Sequence, residues 1–194
     1  MLTRETVRHD DAEEVVSALA SWQHDATAVQ WHPGDLGWAW RFGAARCVAD
    51  LRMWRRDGEP VAAGTVEDGV LRMALSPAVF DDSEVADRLA DDLTDPDRGV
   101  LPAGRASVEV RDGATFRTRL IERGWLPDEL WTPFRRDLAT PVPDPGVEIV
   151  VLDREEPDEA VLRDRVAVHR AAFSNSTFSV ARWPPGLPIG VPAA

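Results

Sequence analysis

The stretch that decides the fold is residues 48–76, which read VADLRMWRRDGEPVAAGTVEDGVLRMALS. It contains two Asp-Gly pairs, Asp57-Gly58 and Asp68-Gly69, and this dipeptide is a strong sign of a two-residue β-hairpin turn. The segments on either side of the turns have the composition and alternation of strands. We therefore predict a three-stranded antiparallel meander over residues 48–56, 60–67 and 70–76.

Helices and further strands flank this meander. Before it, residues 11–24 place Val15, Leu19 and Trp22 at helical spacing, whereas the Trp-rich residues 28–46 favour no single element. After it, the pattern predicts a helix over 83–93 capped by Asp82 or Ser83, a strand over 106–110, a helix over 115–123 that Gly124 ends, and two short strands within 125–138. The expected fold class over residues 1–140 is α/β of the α+β kind, a mixed, mostly antiparallel sheet flanked by helices.

A second pattern begins after a proline-rich segment. Residues 139–146 read ATPVPDPG, and the linker is placed at 141–146. After the linker, residues 147–153 predict a strand and 158–173 an amphipathic helix. Four prolines in the tail, residues 184–194, exclude a helix or a central strand there.

The strand-helix fragment over residues 147–183 cannot bury its apolar face by itself. Its helix carries an apolar set that would otherwise face water: Val161, Leu162, Val166, Val168, His169 and Phe173. The fragment is therefore expected to dock on residues 1–140 or to form a homodimer with a second copy of the chain.

Charge and residue inventory narrow the function classes. The chain carries 34 acidic residues against 22 basic ones, all of them Arg, for a formal net charge of −12. Because a mostly negative surface repels a phosphate backbone, nucleic acid is not an expected partner. The lack of Lys and Tyr in the sequence excludes a Schiff-base lysine and a tyrosine general acid. The polar N-terminus and the lack of a long apolar run predict a cytoplasmic protein with no membrane partner.

Two segments resemble the GNAT superfamily of acetyl-CoA-dependent N-acetyltransferases. Residues 116–125, FRTRLIERGW, resemble that family's late helix with its aliphatic-acidic-basic-glycine-aromatic ending. Residues 147–183, which contain VAVHRAAF, STF and RW, resemble the opening of a second GNAT domain in tandem actinobacterial proteins. The resemblance implies that residues 1–140 are a degenerate N-terminal half and that residues 147–183 begin a truncated second half.

The resemblance also implies a cofactor and its contacts. In the family, the pantetheine arm of acetyl-CoA pairs with the backbone of the central strand, beside a splayed neighbouring strand. By this resemblance the cofactor-binding backbone is that of Met73, Ala74 and Leu75, and the splayed strand lies near residues 108–110. Acetyl-CoA would then be the co-substrate, and a small-molecule amine would accept the acetyl group.

The family's diphosphate-binding loop has no counterpart in this sequence. A GNAT domain places a glycine-rich, Arg-initiated loop before the next helix, where backbone N–H groups hold the CoA diphosphate. The equivalent residues 76–84, SPAVFDDSE, contain neither Gly nor Arg and carry Asp81, Asp82 and Glu84. Because carboxylates repel a diphosphate, we predict that this loop does not bind CoA in the usual way and that its acids cap the helix.

The family's general-acid tyrosine is missing as well. The remaining acid or base candidates are Glu109 on the strand 106–110, and His24 and His32 beside the Trp-rich stretch. Their alternative interpretations are a solvent-facing carboxylate and helix-end histidines next to core Trp residues. Cys47 has no His at a recognisable spacing and is interpreted as a buried apolar residue.

Metal chemistry has no motif either. The four His residues form no two-His metal motif. The eight acids of residues 81–97 lack the pattern of a calcium loop, which favours a solvated helix face.

Two functions remain open from the sequence. The first is a GNAT-like N-acyltransferase that transfers the acetyl group of acetyl-CoA to an amine. The second is a non-catalytic pseudo-acetyltransferase that keeps the fold as a packing or partner-binding module. Binding of acetyl-CoA separates the two.

Overall fold

The computed structural model describes residues 2–23, 30–40, 42–129, 132, 134, 136–137, 139–151 and 158–180. These residues form two compact units, the first reaching to residue 132 and the second covering 134–180. His24 therefore lies outside the described residues, as does the proline-rich tail.

The first unit is built on a five-stranded sheet whose spatial order follows the chain. Its strands are β1 Leu2–Thr6, β2 Leu51–Arg56, β3 Glu59–Glu67, β4 Val70–Leu75 and β5 Ser107–Glu109. Neighbours from β1 to β4 are antiparallel, and β5 runs parallel to β4. Helices flank the sheet, so the predicted class, an α+β fold with a mostly antiparallel sheet, is confirmed.

Both Asp-Gly pairs form the predicted hairpin turns. Asp57 and Gly58 have φ values of 52° and 91°, and Asp68 and Gly69 have 51° and 78°. Two successive residues with positive φ define the type I′ turn, whose twist matches that of the paired strands. The first strand of the meander begins at Leu51, later than the predicted residue 48, because residues 48–50 complete the preceding helix.

Six helices belong to the described part of the chain, and none is long and apolar enough to cross a membrane. They are α1 Ala12–Trp22, α2 Pro33–Trp40, α3 Ala44–Asp50, α4 Ser83–Thr94, α5 Ala114–Glu122 and α6 Glu159–Ala172. The Trp-rich stretch that the sequence left unassigned contains α2 and the start of α3. Three short 3-10 turns accompany them, at His9–Asp11, Pro77–Val79 and Pro96–Arg98.

The sheet separates two hydrophobic cores. One core joins the sheet to α4 and α5, and its largest members are Trp54, Leu71, Met73, Leu75, Leu89, Phe116 and Leu120. The other joins the sheet to α1, α2 and α3, and includes Val15, Leu19, Trp22, Leu36, Trp40, Cys47, Met53 and Ala74. Strand β4 contributes Leu71, Met73 and Leu75 to the first core and Ala74 to the second, whereas Arg72 is exposed.

Three predicted strands have no counterpart among the residues that the structure describes. The described residues within 125–138 belong to no strand, and neither do residues 147–151. Leu126, Val147 and Val151 are exposed. An extended segment does not form a strand when no neighbouring sheet edge pairs with its backbone hydrogen-bonding groups. The predictions of two short strands within 125–138 and of a strand over 147–153 are therefore wrong for the residues that the structure describes.

The second unit is built around α6, which confirms the predicted helix over 158–173. The Asp158 carboxylate accepts hydrogen bonds from the backbone N–H of Ala160 and Val161 and caps the helix. After α6 the chain turns back, and the ring of Phe178 lies 4.7 Å from that of His169. Leu162, Val166 and Phe178 are buried, whereas Val168 and Phe173 stay exposed.

Close packing of β3 against β4 requires a glycine at position 64. A Cβ atom there would lie 2.7 Å from the carbonyl oxygen of Arg72, 2.8 Å from Cδ1 of Leu71 and 2.9 Å from Cβ of Met73. The obstructing atoms include backbone, which cannot rotate away as the end of a side chain can.

We expect Gly64→Ala to lower the free energy of unfolding by about 2 kcal/mol, because the new methyl group forces two central strands apart. Gly58→Ala is the control. Its Cβ meets nothing within 4 Å, so that it adds only the backbone strain of a positive φ, roughly 1 kcal/mol. Urea denaturation of both variants measures the difference, and a loss at Gly64 no larger than at Gly58 contradicts the packing argument.

Candidate functional site

The ladder between strands β4 and β5 is shorter than β4, because β5 ends at Glu109. Their parallel ladder joins Val70 to Ser107, Leu71 to Val108 and Arg72 to Glu109, and goes no further, although β4 continues to Leu75. Residues 108 and 109, where the resemblance implies a splayed strand, are paired with Leu71 and Arg72 in this ladder. We call the edge of β4 beyond Arg72, which has no β5 partner, the gap. The backbone of residues 73–75 lies next to this gap.

The direction of the backbone groups in β4 follows from its pairing with β3. The N–H of Ser76 donates to the carbonyl oxygen of Val61 across that pair, at 2.9 Å. Because successive residues of a strand direct their backbone groups to opposite sides, the N–H and C=O of Leu75 point away from β3, toward the β5 side.

The side-chain amide of Gln30 takes up both backbone groups of Leu75. The Leu75 N–H donates to Oε1 of Gln30 at 2.8 Å, and Nε2 of Gln30 donates to the Leu75 carbonyl oxygen at 3.1 Å. Gln30 is 4% exposed, and Leu75 is equally buried. One carboxamide thus replaces the strand neighbour that β5 no longer provides.

The cofactor-binding backbone expected at Met73, Ala74 and Leu75 lies in this buried region. All three residues are at most 1% exposed. The side chains of Met73 and Leu75 belong to the core beneath α4, and that of Ala74 to the opposite core. An acyl-pantetheine arm that used the Leu75 backbone would have to displace Gln30.

The N-terminus of α4, where a CoA diphosphate would bind in the resembled family, is filled by the protein's own side chains. The Asp82 carboxylate accepts a hydrogen bond from the Val85 N–H at 3.0 Å and caps the helix, as predicted. The Arg56 guanidinium, from β2, hydrogen-bonds the same carboxylate and lies 3.4 Å from Glu84. The Val85 N–H and Arg56 hold the pKa of Asp82 below its usual range.

The segment that carries the family resemblance has a structural role in this unit. Gly124, at φ 89°, ends α5 while the N–H of Trp125 donates to the Leu120 carbonyl oxygen, which is the Schellman arrangement. Arg123 then donates to Asp91 at 2.7 Å and to Asp87 at 3.0 Å, both on α4. The basic position of the motif thus fastens α5 to α4, and the glycine position ends α5.

Among the described residues, the candidate acid and base groups Glu109 and His32 are each hydrogen-bonded to a neighbour of their own. Glu109 is exposed and accepts a hydrogen bond from Arg72 at 3.0 Å, so its carboxylate is held in a surface ion pair. His32 begins α2, where its Nδ1 accepts a hydrogen bond from the Gly34 N–H at 2.9 Å, and is exposed. Both match their alternative interpretations, a solvent-facing carboxylate and a helix-end histidine.

Cys47 is buried, and burial, with a smaller contribution from Asp50, raises the pKa of its thiol to about 11. A thiol with so high a pKa is not ionised near neutral pH and is a poor nucleophile. Its interpretation as a small apolar core residue agrees with its place in the core beside α1, α2 and α3.

Acidic residues do not gather into a metal site among the residues that the structure describes. The solvated face expected for residues 81–97 holds for the exposed Asp81 and Glu84 but is wrong for Asp92, which is 2% exposed. The position of Asp92 on the helix faces the core, where arginine guanidinium groups balance the charge of the carboxylate and a tryptophan N–H hydrogen-bonds it.

Sequence reasoning missed Gln30 and Arg56, which hydrogen-bond Leu75 and Asp82 at the positions that the resemblance assigns to a cofactor. Gln30 lies 45 positions before Leu75, and Arg56 lies 26 positions before Asp82. The available signal for Gln30 was a polar residue in an otherwise aromatic stretch. Neither pairing can be derived without knowing which elements lie side by side.

A scan against protein-family models gives no match to this chain, and a search of curated proteins finds no similar one.

The Asp82 cap makes a prediction for stability and its pH dependence. Asp82→Ala should lower the free energy of unfolding by about 1 kcal/mol near neutral pH, because the Val85 N–H loses its acceptor. Asp82→Asn keeps an acceptor oxygen and should lose less.

The pKa of Asp82 is lowered in the folded state, so its charge stabilises the protein above the ordinary carboxyl pKa of about 4, and this contribution disappears as pH falls through the lowered value. The difference between wild type and Asp82→Asn in urea denaturation should therefore shrink at acid pH. A difference that grows with acidity contradicts this assignment.

Proposed function

We propose that residues 1–140 form a GNAT-like domain that acts as a non-catalytic pseudo-acetyltransferase, a packing or partner-binding module. The observation that carries the proposal is the Gln30 carboxamide bonded to both backbone groups of Leu75. It holds the hydrogen-bonding positions that the resemblance assigns to the pantetheine arm.

The second cofactor contact supports the same proposal. At the start of α4, Asp82 already satisfies a backbone N–H that would otherwise face a diphosphate, and it adds negative charge there. Arg56 neutralises part of this charge from inside the protein, so it is engaged before any ligand arrives. Both contacts that CoA would need are internal contacts of this chain.

A second candidate is the weak N-acyltransferase that uses acetyl-CoA and a small-molecule amine. The observation that favours it is that β5 pairs with β4 only as far as Arg72 and Glu109, which leaves the edge of β4 beyond Arg72 without a strand partner. Gln30 is a side chain rather than a strand, and a rotamer change would release the Leu75 backbone to a ligand. This candidate requires acetyl-CoA to offset the loss of two buried hydrogen bonds.

Titration calorimetry with acetyl-CoA distinguishes the two candidates. We expect wild type to show no saturable heat up to about 1 mM, where a binding free energy of roughly −4 kcal/mol would be needed for half saturation. Gln30→Ala should bind detectably, because it frees the Leu75 N–H and C=O at the gap. Micromolar binding by wild type, with acetyl transfer to an amine, would establish the enzyme and reject the module.

Gln23→Ala is the matched control for Gln30→Ala. Gln23 also donates a side-chain hydrogen bond to a backbone carbonyl, that of Trp31 at 3.3 Å, but it does not touch β4. Both variants shorten a partly or fully buried amide side chain in the same region of the chain. A gain in acetyl-CoA affinity shared by the two would reflect general loosening and not the opening of the gap.

The wider partner proposals rest on the second unit and on composition. We propose a cytoplasmic protein that forms a homodimer through residues 147–183, since Val168 and Phe173 on and after α6 remain 61% and 60% exposed. Exposed apolar side chains close together are typical of an interaction surface.

Phe173→Asp should shift the chain from dimer to monomer in sedimentation velocity, because a buried carboxylate is costly at an apolar interface. Leu126→Asp is the control, since Leu126 is 88% exposed but lies outside residues 147–183. A wild-type chain that sediments as a monomer at every concentration contradicts the homodimer.

A further inference from the structure

A cavity of about 280 Å³ in the first unit is lined by three arginines and one aspartate, Arg4, Arg88, Arg98 and Asp92. The arginines come from β1, from α4 and from the 3-10 turn after α4. In a protein with a net charge of −12, a cavity lining with three positive groups and one negative group is a local reversal of sign.

Asp92 fixes the arrangement of two of these arginines. Its Oδ1 accepts a hydrogen bond from Arg98 at 2.7 Å and lies 3.1 Å from Nε of Arg88. Its Oδ2 accepts a hydrogen bond from the indole N–H of Trp54 at 2.9 Å. A carboxylate that is 2% exposed and hydrogen-bonded on both oxygens is held rigidly, and it fixes the positions of the guanidinium groups around it.

Arg4 has no such partner. It lies opposite Trp54 in the β1–β2 register, on the side of the sheet that faces Asp92. Its Nη1 is shielded from solvent, and no described residue accepts a hydrogen bond from it. A shielded guanidinium nitrogen without an acceptor lowers stability, and such groups need an explanation in a folded protein.

The charged groups next to the cavity do not cancel the excess of positive over negative side chains in its lining. Arg52 lies near Arg4, and burial together with the charge of Arg4 lowers the pKa of Arg52. On the other side, Nε of Arg98 is 3.6 Å from Asp95, so Arg98 is shared between two carboxylates. Arg98 is thus paired with two carboxylates and Arg88 with Asp92, whereas Nη1 of Arg4 has no acceptor among the described residues.

We propose that this cavity is a binding site for a phosphate group, held by Arg4 and Arg88 with Arg98 and Asp92 as their support. Guanidinium donors suit the oxygens of a phosphate, and several of them can bind one phosphate at the same time. The ligand is inorganic phosphate or a small phosphate monoester. The site lies apart from the Gln30 and Asp82 contacts, so the proposal does not depend on the function proposed above.

Calorimetric titration of the full chain at constant ionic strength tests the site, with inorganic phosphate as the first probe. We expect saturable binding with a Kd below about 1 mM, and a loss of at least about tenfold in Arg4→Gln. Arg88→Gln should weaken binding as well. Arg105→Gln removes the same charge from an exposed loop residue and should change the Kd by less than about twofold.

Thermal denaturation without phosphate gives a second readout that a structural role for Arg4 would not produce. Arg4→Gln should raise the Tm, because it removes a shielded charge without an acceptor, while it abolishes the rise that phosphate causes in wild type. A structural role predicts the opposite, a lower Tm in Arg4→Gln.

Two further probes identify the source of the phosphate. Tighter binding of glycerol 3-phosphate than of inorganic phosphate assigns the site to a phosphate ester, and equal binding assigns it to the free ion. Succinate, a dicarboxylate, should bind more weakly than either. Wild-type heats that match those of Arg4→Gln, or succinate binding as tight as that of phosphate, would overturn the proposal.

Discussion

Strand β4 is buried on one face along its length and on the other face at Ala74, and from Met73 to Leu75 its backbone must find hydrogen-bond partners along both edges. An amide N–H or C=O left without a partner in such a place costs roughly 1–3 kcal/mol. On one edge β3 supplies the partners along the whole strand. On the other edge β5 supplies them only as far as Arg72, and the Gln30 side chain completes the pairing at Leu75. Both cores and their helices pack against β4. Their stability, and that of the closed gap, therefore depends on hydrogen bonds to the backbone of this strand.

Electrostatic pairing is the second organising feature, and arginine alone supplies the positive groups. Arg56 reaches the cap of α4, Arg123 joins α5 to α4, and Arg98 meets the buried Asp92. Exposed pairs of this kind each contribute little, up to about 1 kcal/mol. Their larger effect is on binding, because an arginine engaged with an internal carboxylate is not available to a ligand. Arg4 differs from these three, because its Nη1 is shielded from solvent and no described residue accepts a hydrogen bond from it.

The two features lead to opposite conclusions for two parts of the same unit. At the gap between β4 and β5, and at the start of α4, internal groups fill the positions that a cofactor would need. At the cavity beside Asp92, positive groups converge and remain incompletely satisfied. We therefore propose a ligand site on the Arg4 side and not at the positions that the family resemblance assigns to a cofactor.

Local signals in the sequence determined much of the fold. The Asp-Gly pairs determined the hairpins because they accept positive φ at low cost, the alternation of residues 51–75 determined the strands, and Gly124 determined the end of α5. The acidic loop before α4 also predicts, by charge alone, that a diphosphate is disfavoured there. These features depend on neighbours a few residues away, which a sequence displays directly. The tertiary structure alone decided that residues 147–151 form no strand, that Gln30 meets Leu75 and that Arg4 faces Asp92. Those outcomes depend on which distant segments share an edge or a face, and on which polar groups remain unsatisfied once the cores are packed.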